Sequence, residues 1–307
     1  MITIQLPNTI PYAYGSANAH KILGASLQNI PEPQTNDICI CDYIACPYVE
    51  KIFVFAGGEW YKNDKNEFLF KRFVPADTVA IELYLNDIKV ADLNTNTYGT
   101  FFNGFPTGSA EQQLYVGYLV DWESVYNAFG VGQYQIKAQL NIVGNPSTYE
   151  SRLFNVCIYS DENADGTVRI ESTQNGNIIG NQFDFTGLNW YQSVRIPARF
   201  GNPTPVYEND RYVTETRKIE QIQDKMSREW TLNTKPLDYE VATQLIYNKM
   251  LANEILITDY SIKAESIFRR IGVFPNTIEK PDSVLNPKKK YTMKFVENND
   301  YFIKRNF

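Results

Sequence analysis

Apolar and polar residues alternate with a period of two along much of this chain, and that period predicts strands. Between 37 and 160 it marks 38–41, 51–55, 79–85, 89–93, 113–118, 134–140 and 153–159. Asn86-Asp87, between the third and fourth of these, reads as a hairpin turn, because both residue types tolerate the left-handed backbone of such turns. One interruption is helical: Asp121 opens a capped turn through Trp122 to Tyr126, and Gly130-Val131-Gly132 closes it. Short strands at this spacing predict a β-sandwich of immunoglobulin-like size over 37–160. Residues 1–36 read as an arm, in which Ile2, Ile4 and Leu6 alternate before Pro7, Pro11, Gly15, Pro31 and Pro33 break regular structure. An arm across a neighbouring subunit and a loosely packed terminus are equal readings of it.

The pattern changes at 160–166, where the domain boundary is placed. Val168 and Ile170 begin a new strand, Asn175-Gly176 signals a hairpin, and Phe183, Phe185 and 190–196 continue the sheet. Pro197, Gly201, Pro203 and Pro205 predict a loop. In the next segment Ile219, Ile222, Met226 and Trp230 fit a helical stripe, while Ile222, Met226, Trp230 and Leu232 share strand parity. The β-type ending Thr231-Leu232-Asn233-Thr234 ahead of Pro236 favours a long, half-exposed strand. Asp238 then caps a helix whose stripe is Val241, Ala242, Leu245, Ile246 and Met250, with Asn253 as its stop. Glu254 to Tyr260 reads as a buried strand, which completes a β-α-β unit. Strands at 266–274, 291–296 and 301–304 close the chain. The expected fold is therefore mainly β with some α: arm 1–36, β-sandwich 37–160, mixed β/α domain 161–307.

Composition narrows the function classes. In 307 residues, 43% are hydrophobic and 14% aromatic, with 21 Tyr and 18 Phe, which fits a packed core and broad half-buried sheet faces. A net charge of −6 argues against direct nucleic-acid binding, which draws on a basic field. No stretch approaches the roughly 20 apolar residues of a membrane span. The first residues lack a basic and an apolar signal region, so synthesis in a cytosol without a signal peptide is expected.

Candidate chemistry is sparse. Asp161, Asn163 and Asp165 with Gly166 and Val168 match the first half of a calcium loop, but Ser172 stands where the bidentate acid belongs. An Asp-Gly hairpin turn is the preferred reading. Cys39, Cys41 and Cys46 lack the spaced pairs of zinc modules, and together with Cys157 read as small buried side chains. The cysteines also lack the spacing of an antibody-type disulfide. His20 is the only histidine and lies in the arm, which leaves no plausible Ser-His or Cys-His pair. No phosphate-binding glycine motif occurs. Lys288-Lys289-Lys290 reads as a solvated loop. Trp60-Tyr61 and Trp190-Tyr191 are candidate sugar-stacking platforms, though strand aromatics more often pack in cores or subunit interfaces. Catalytic, cofactor-binding and metal residues are thus assigned as none, and no cofactor is expected.

One resemblance adds to this. Arg228-Glu229-Trp230-Thr231-Leu232-Asn233-Thr234-Lys235-Pro236-Leu237, the amphipathic stretch after it, Glu254-Ile255-Leu256-Ile257, Arg269-Arg270 and the aromatic final strands resemble virion structural proteins of tailed phages infecting Bacteroidetes, crAss-like phages included. The likeness covers roughly a third of the chain and has no diagnostic motif. It implies a non-enzymatic ring subunit of a tail, neck or collar, or baseplate, located in the virion. The implied partners are further copies of itself and other tail or neck proteins. A carbohydrate- or host-surface-binding module at a tail tip is the alternative, and a glycan-active enzyme a distant third.

Overall fold

A computed structural model describes residues 49–55, 64–71, 78–93, 96–103, 115–141, 147–175, 178–179, 183–184, 189–213, 215–217, 219–237, 245, 250, 252–261, 269–279, 290–298 and 301–304. The architecture is mainly β. Its first half contains β1 (Val49–Val54), β2 (Lys65–Lys71), β3 (Thr78–Leu85), β4 (Ile88–Asp92), β5 (Gly99–Asn103), β6 (Tyr115–Asp121), β7 (Gly132–Asn141) and β8 (Ser147–Ile158). They form a five-stranded sheet, β1-β8-β7-β3-β4, and a three-stranded sheet, β2-β6-β5. Asn86 and Asp87 both have positive φ, so the hairpin between β3 and β4 is of the expected type. The helix Trp122–Phe129 starts where Asp121 accepts from the Glu123 and Ser124 amides, and ends at Gly130, whose φ is 81°. Ile52, Val54, Ile81, Leu83, Tyr118, Val120, Trp122, Tyr134, Ile136, Phe154 and Val156 share one core, to which both sheets and this helix contribute. Strands β2 and β5 escaped the sequence reading.

The second half contains β9 (Thr167–Asn175), β10 (Ile178–Ile179), β11 (Phe183–Asp184), β12 (Asn189–Arg199), β13 (Thr204–Val213), β14 (Ile219–Thr234), β15 (Glu254–Asp259), β16 (Arg269–Glu279), β17 (Thr292–Glu297) and β18 (Tyr301–Lys304). Strands β12-β9-β15-β16-β17-β14 are neighbours in that order, all antiparallel. β14 then pairs back onto β12 at Ala198↔Thr234 and Arg199↔Asn233. The sheet therefore closes into a six-stranded barrel, which removes the edges of those strands where they pair. Its interior takes alternate residues from every strand: Val168 and Ile170, Val194 and Ile196, Ile255 and Ile257, Val273, Met293 and Phe295, Trp230 and Leu232.

Two expectations change here, and a third is completed by the topology. The strand after Asn175 does not fold back on β9: β10 pairs with β11, and β9 takes β12 as its partner. The loop expected from Pro197 to Pro205 is present but shorter, at 200–203 with Gly201 at φ 65°, while Pro197 lies near the end of β12 and Pro205 on β13, an edge strand where a missing N–H is tolerated. β14 and β15 both form as strands, but they run antiparallel with β16 and β17 between them. Most of 238–253 lies outside the described residues. Within it, the Met250 amide donates to the Leu245 carbonyl at 3.1 Å, and both side chains are buried with the barrel core.

β14 is 16 residues long and outruns the barrel. Its stretch from Ile219 to Glu229 pairs with β13, and Gln223 to Met226 pairs on the opposite side with β18. The result is a three-stranded projection, β13-β14-β18, continuous with the barrel wall.

Candidate functional site

Two features stand out, a buried ionic junction and the open projection. The junction forms because the outward positions of β9 and β12 do not face water. Arg169, Glu171, Ser193 and Arg195 alternate with barrel-core residues, yet all are buried. Glu50 and Phe53 on β1, and Asp64 just before β2, cover them. Asp64 accepts from Arg195 Nε at 3.1 Å, from Arg195 Nη2 at 2.8 and 2.9 Å, from Arg169 Nη1 at 3.2 Å and from the Phe53 amide at 2.8 Å. Arg169 also approaches Glu171 at 3.5 Å, and Glu50 accepts from the Arg195 amide at 2.7 Å. The Arg195 guanidinium lies over the neighbouring rings of Phe53 and Tyr260, 4.4 and 4.2 Å from their centroids. Burial, the largest influence, would lower the Arg195 pKa, but Asp64 and Tyr260 beside it together outweigh that and hold it above its ordinary value. A second thread crosses nearby: Trp122 Nε1 donates to Asn66 Oδ1 at 2.7 Å, and Asn66 Nδ2 to the Ser193 carbonyl at 3.4 Å. Every oxygen of Asp64 is committed to a protein donor, so this carboxylate is a weld between the halves and not a base aimed at a substrate.

The projection is the opposite kind of surface. Val206, Tyr207, Val213 and Met226 are exposed, with Tyr207 at 56% and Val213 at 61%. Tyr207, Met226 and Tyr301 stand side by side across β13, β14 and β18. The face of Tyr207 and Met226 continues the barrel's inner face, since Met226 and Trp230 share parity on β14. At the barrel mouth Glu297 accepts from Trp230 Nε1 at 3.3 Å and lies 3.8 Å from Arg228.

No protein-family model matches the chain, and no curated protein does. The solved structures that overlap it include two from tail-like particles. One, from the tail of an empty GTA particle with C6 symmetry, covers 36% of this chain and 84% of its own at 10% identity, with a TM-score of 0.22. The other, from the sheath–tube complex of an extracellular contractile injection system (PVC) in its extended state, covers 45% and 88% at 14% identity, with a TM-score of 0.20. Scores this low do not place the fold.

The sequence candidates fall apart in space. Residues 161–164 form a helical turn capped by Ser160, in place of the expected hairpin, and it joins strands of two different sheets. Asp161 Oδ1 accepts from the Tyr159 hydroxyl at 2.7 Å, and the Asn163 carbonyl from Lys51 Nζ at 3.1 Å. Among the described residues, no three His, Cys, Asp or Glu side chains converge for a metal ion. His20, Cys39, Cys41, Cys46, Trp60-Tyr61 and Lys288-Lys289 lie outside the described residues, as do the side chains of Trp190-Tyr191. Cys157 is half-buried, and desolvation raises its thiol pKa. Among the described residues, no helix is long and apolar enough to cross a membrane.

The buried phenols give a pH prediction. Burial raises the pKa of Tyr118, Tyr159 and Tyr260, and pushes that of Tyr134 to about 12. An unfolded tyrosine ionises near pH 10, so the unfolded chain releases these protons first. Their stabilisation is full below about pH 10 and is lost as pH rises through the folded values. The urea midpoint should hold from pH 8 to 9 and fall steadily above 10. A midpoint unchanged to pH 11 would contradict this.

Proposed function

We propose that this chain is a non-enzymatic structural subunit of a tailed-phage virion. It forms part of a ring in the tail, neck or collar, or baseplate through contacts between copies, and meets other tail or neck proteins there. The observation that carries the reading is the projection: a ten-residue edge strand with apolar residues in solvent, on a molecule whose halves are welded internally. Long apolar edges are pairing templates, which monomeric proteins blunt. Here the β4 edge is blunted, being short, bulged opposite Leu83 and Tyr84, and carrying Lys89 paired to Glu82 and Asp92. The β13 edge has Pro205 at one end, a register shift at Asp210/Arg211 and the charges of Glu208, Asp210 and Arg211, yet it is twice as long as β4 and keeps Val206, Tyr207 and Val213 in solvent. The resemblance of 228–237 and the strands after it to phage virion proteins supplies the setting.

In this reading 37–160 is an immunoglobulin-like sandwich, supported by two sheets around one core, and 161–307 is the mixed domain. The β-α-β unit is β14, the helix over 238–253 and β15, supported by the burial of Leu245 and Met250. The arm 1–36 precedes them. No cofactor, metal or nucleic acid is used. The test is the mass of the purified chain by light scattering across concentrations, with negative-stain images of large species. Closed rings of one order are expected, and a monomer at high concentration would overturn the reading.

A further inference from the structure

We draw no further inference here: the strongest candidate, the surface patch of exposed Val206, Tyr207 and Met226 on the β13-β14-β18 projection, carries nothing further, because the ring reading already rests on it and nothing in the structure shows what covers it.

Discussion

Asp64→Asn is expected to lower the stability of this chain by about 3–5 kcal/mol, the usual effect of removing one member of a buried ion pair. The change is nearly isosteric, so packing is not the cause. Asp64 faces both Arg195 and Arg169, each almost wholly buried, and an amide in its place turns an NH2 group toward guanidinium donors. Two cations then keep Glu50, which accepts the Arg195 amide, and Glu171, 3.5 Å from Arg169, without the carboxylate that receives the Arg195 fork. Because Asp64 reaches across the junction, its loss should also uncouple the halves. Urea unfolding followed by circular dichroism, a single transition in the parent, should split or broaden in the variant. Arg195→Met should recover part of the loss when added to Asp64→Asn, because it removes the guanidinium left without its partner. A loss below about 1 kcal/mol would mean that water reaches the site and the junction is not a weld.

That cluster was not legible in the sequence, for a physical reason. Thr167 to Glu171 alternates apolar and polar residues, and alternation says which residues share a face without saying what covers the other face. An open sheet would leave Arg169 and Arg195 in water. Their burial follows from β1 and the start of β2 lying across the barrel, a contact between segments more than 100 residues apart. Barrel closure is hidden in the same way, since it rests on Ala198 and Arg199 meeting Thr234 and Asn233. Local signals fared better. Asp121 and Gly130 bound a helix because caps act within one turn, and Asn86-Asp87 makes its hairpin because backbone preference acts within two residues. The Asp161 segment shows the limit of motif reading: Ser160 ahead of two acidic residues is a helix start, and that local signal decides the structure over the half-matched calcium pattern. The open projection is legible only in part. The length of β14 followed from its strand parity, while β13 was masked by Pro203 and Pro205, which an edge strand accommodates.

Trp122→Ala is expected to lose as much as the junction variant, about 3–5 kcal/mol, but through packing. Trp122 is fully buried at the first turn of its helix, with ring centroids 5.1 Å from Phe154 and 6.2 Å from Tyr134. Alanine leaves a cavity among side chains held by both sheets, which can collapse only partly. The same change strands Asn66 Oδ1, which accepts the indole N–H. Trp122→Phe separates the two effects: it keeps most of the ring and removes the donor, so its loss should fall to about 1–3 kcal/mol. Pairing Trp122→Phe with Asn66→Leu tests the hydrogen bond itself, since removing both partners of a buried pair costs less than removing one. Asn66 also donates to the Ser193 carbonyl, so that double variant should still weaken the junction and lie below the parent. Strictly additive losses would place Asn66 and Trp122 in independent roles, and the thread from the helix through β2 to β12 would then play no part in joining the two halves.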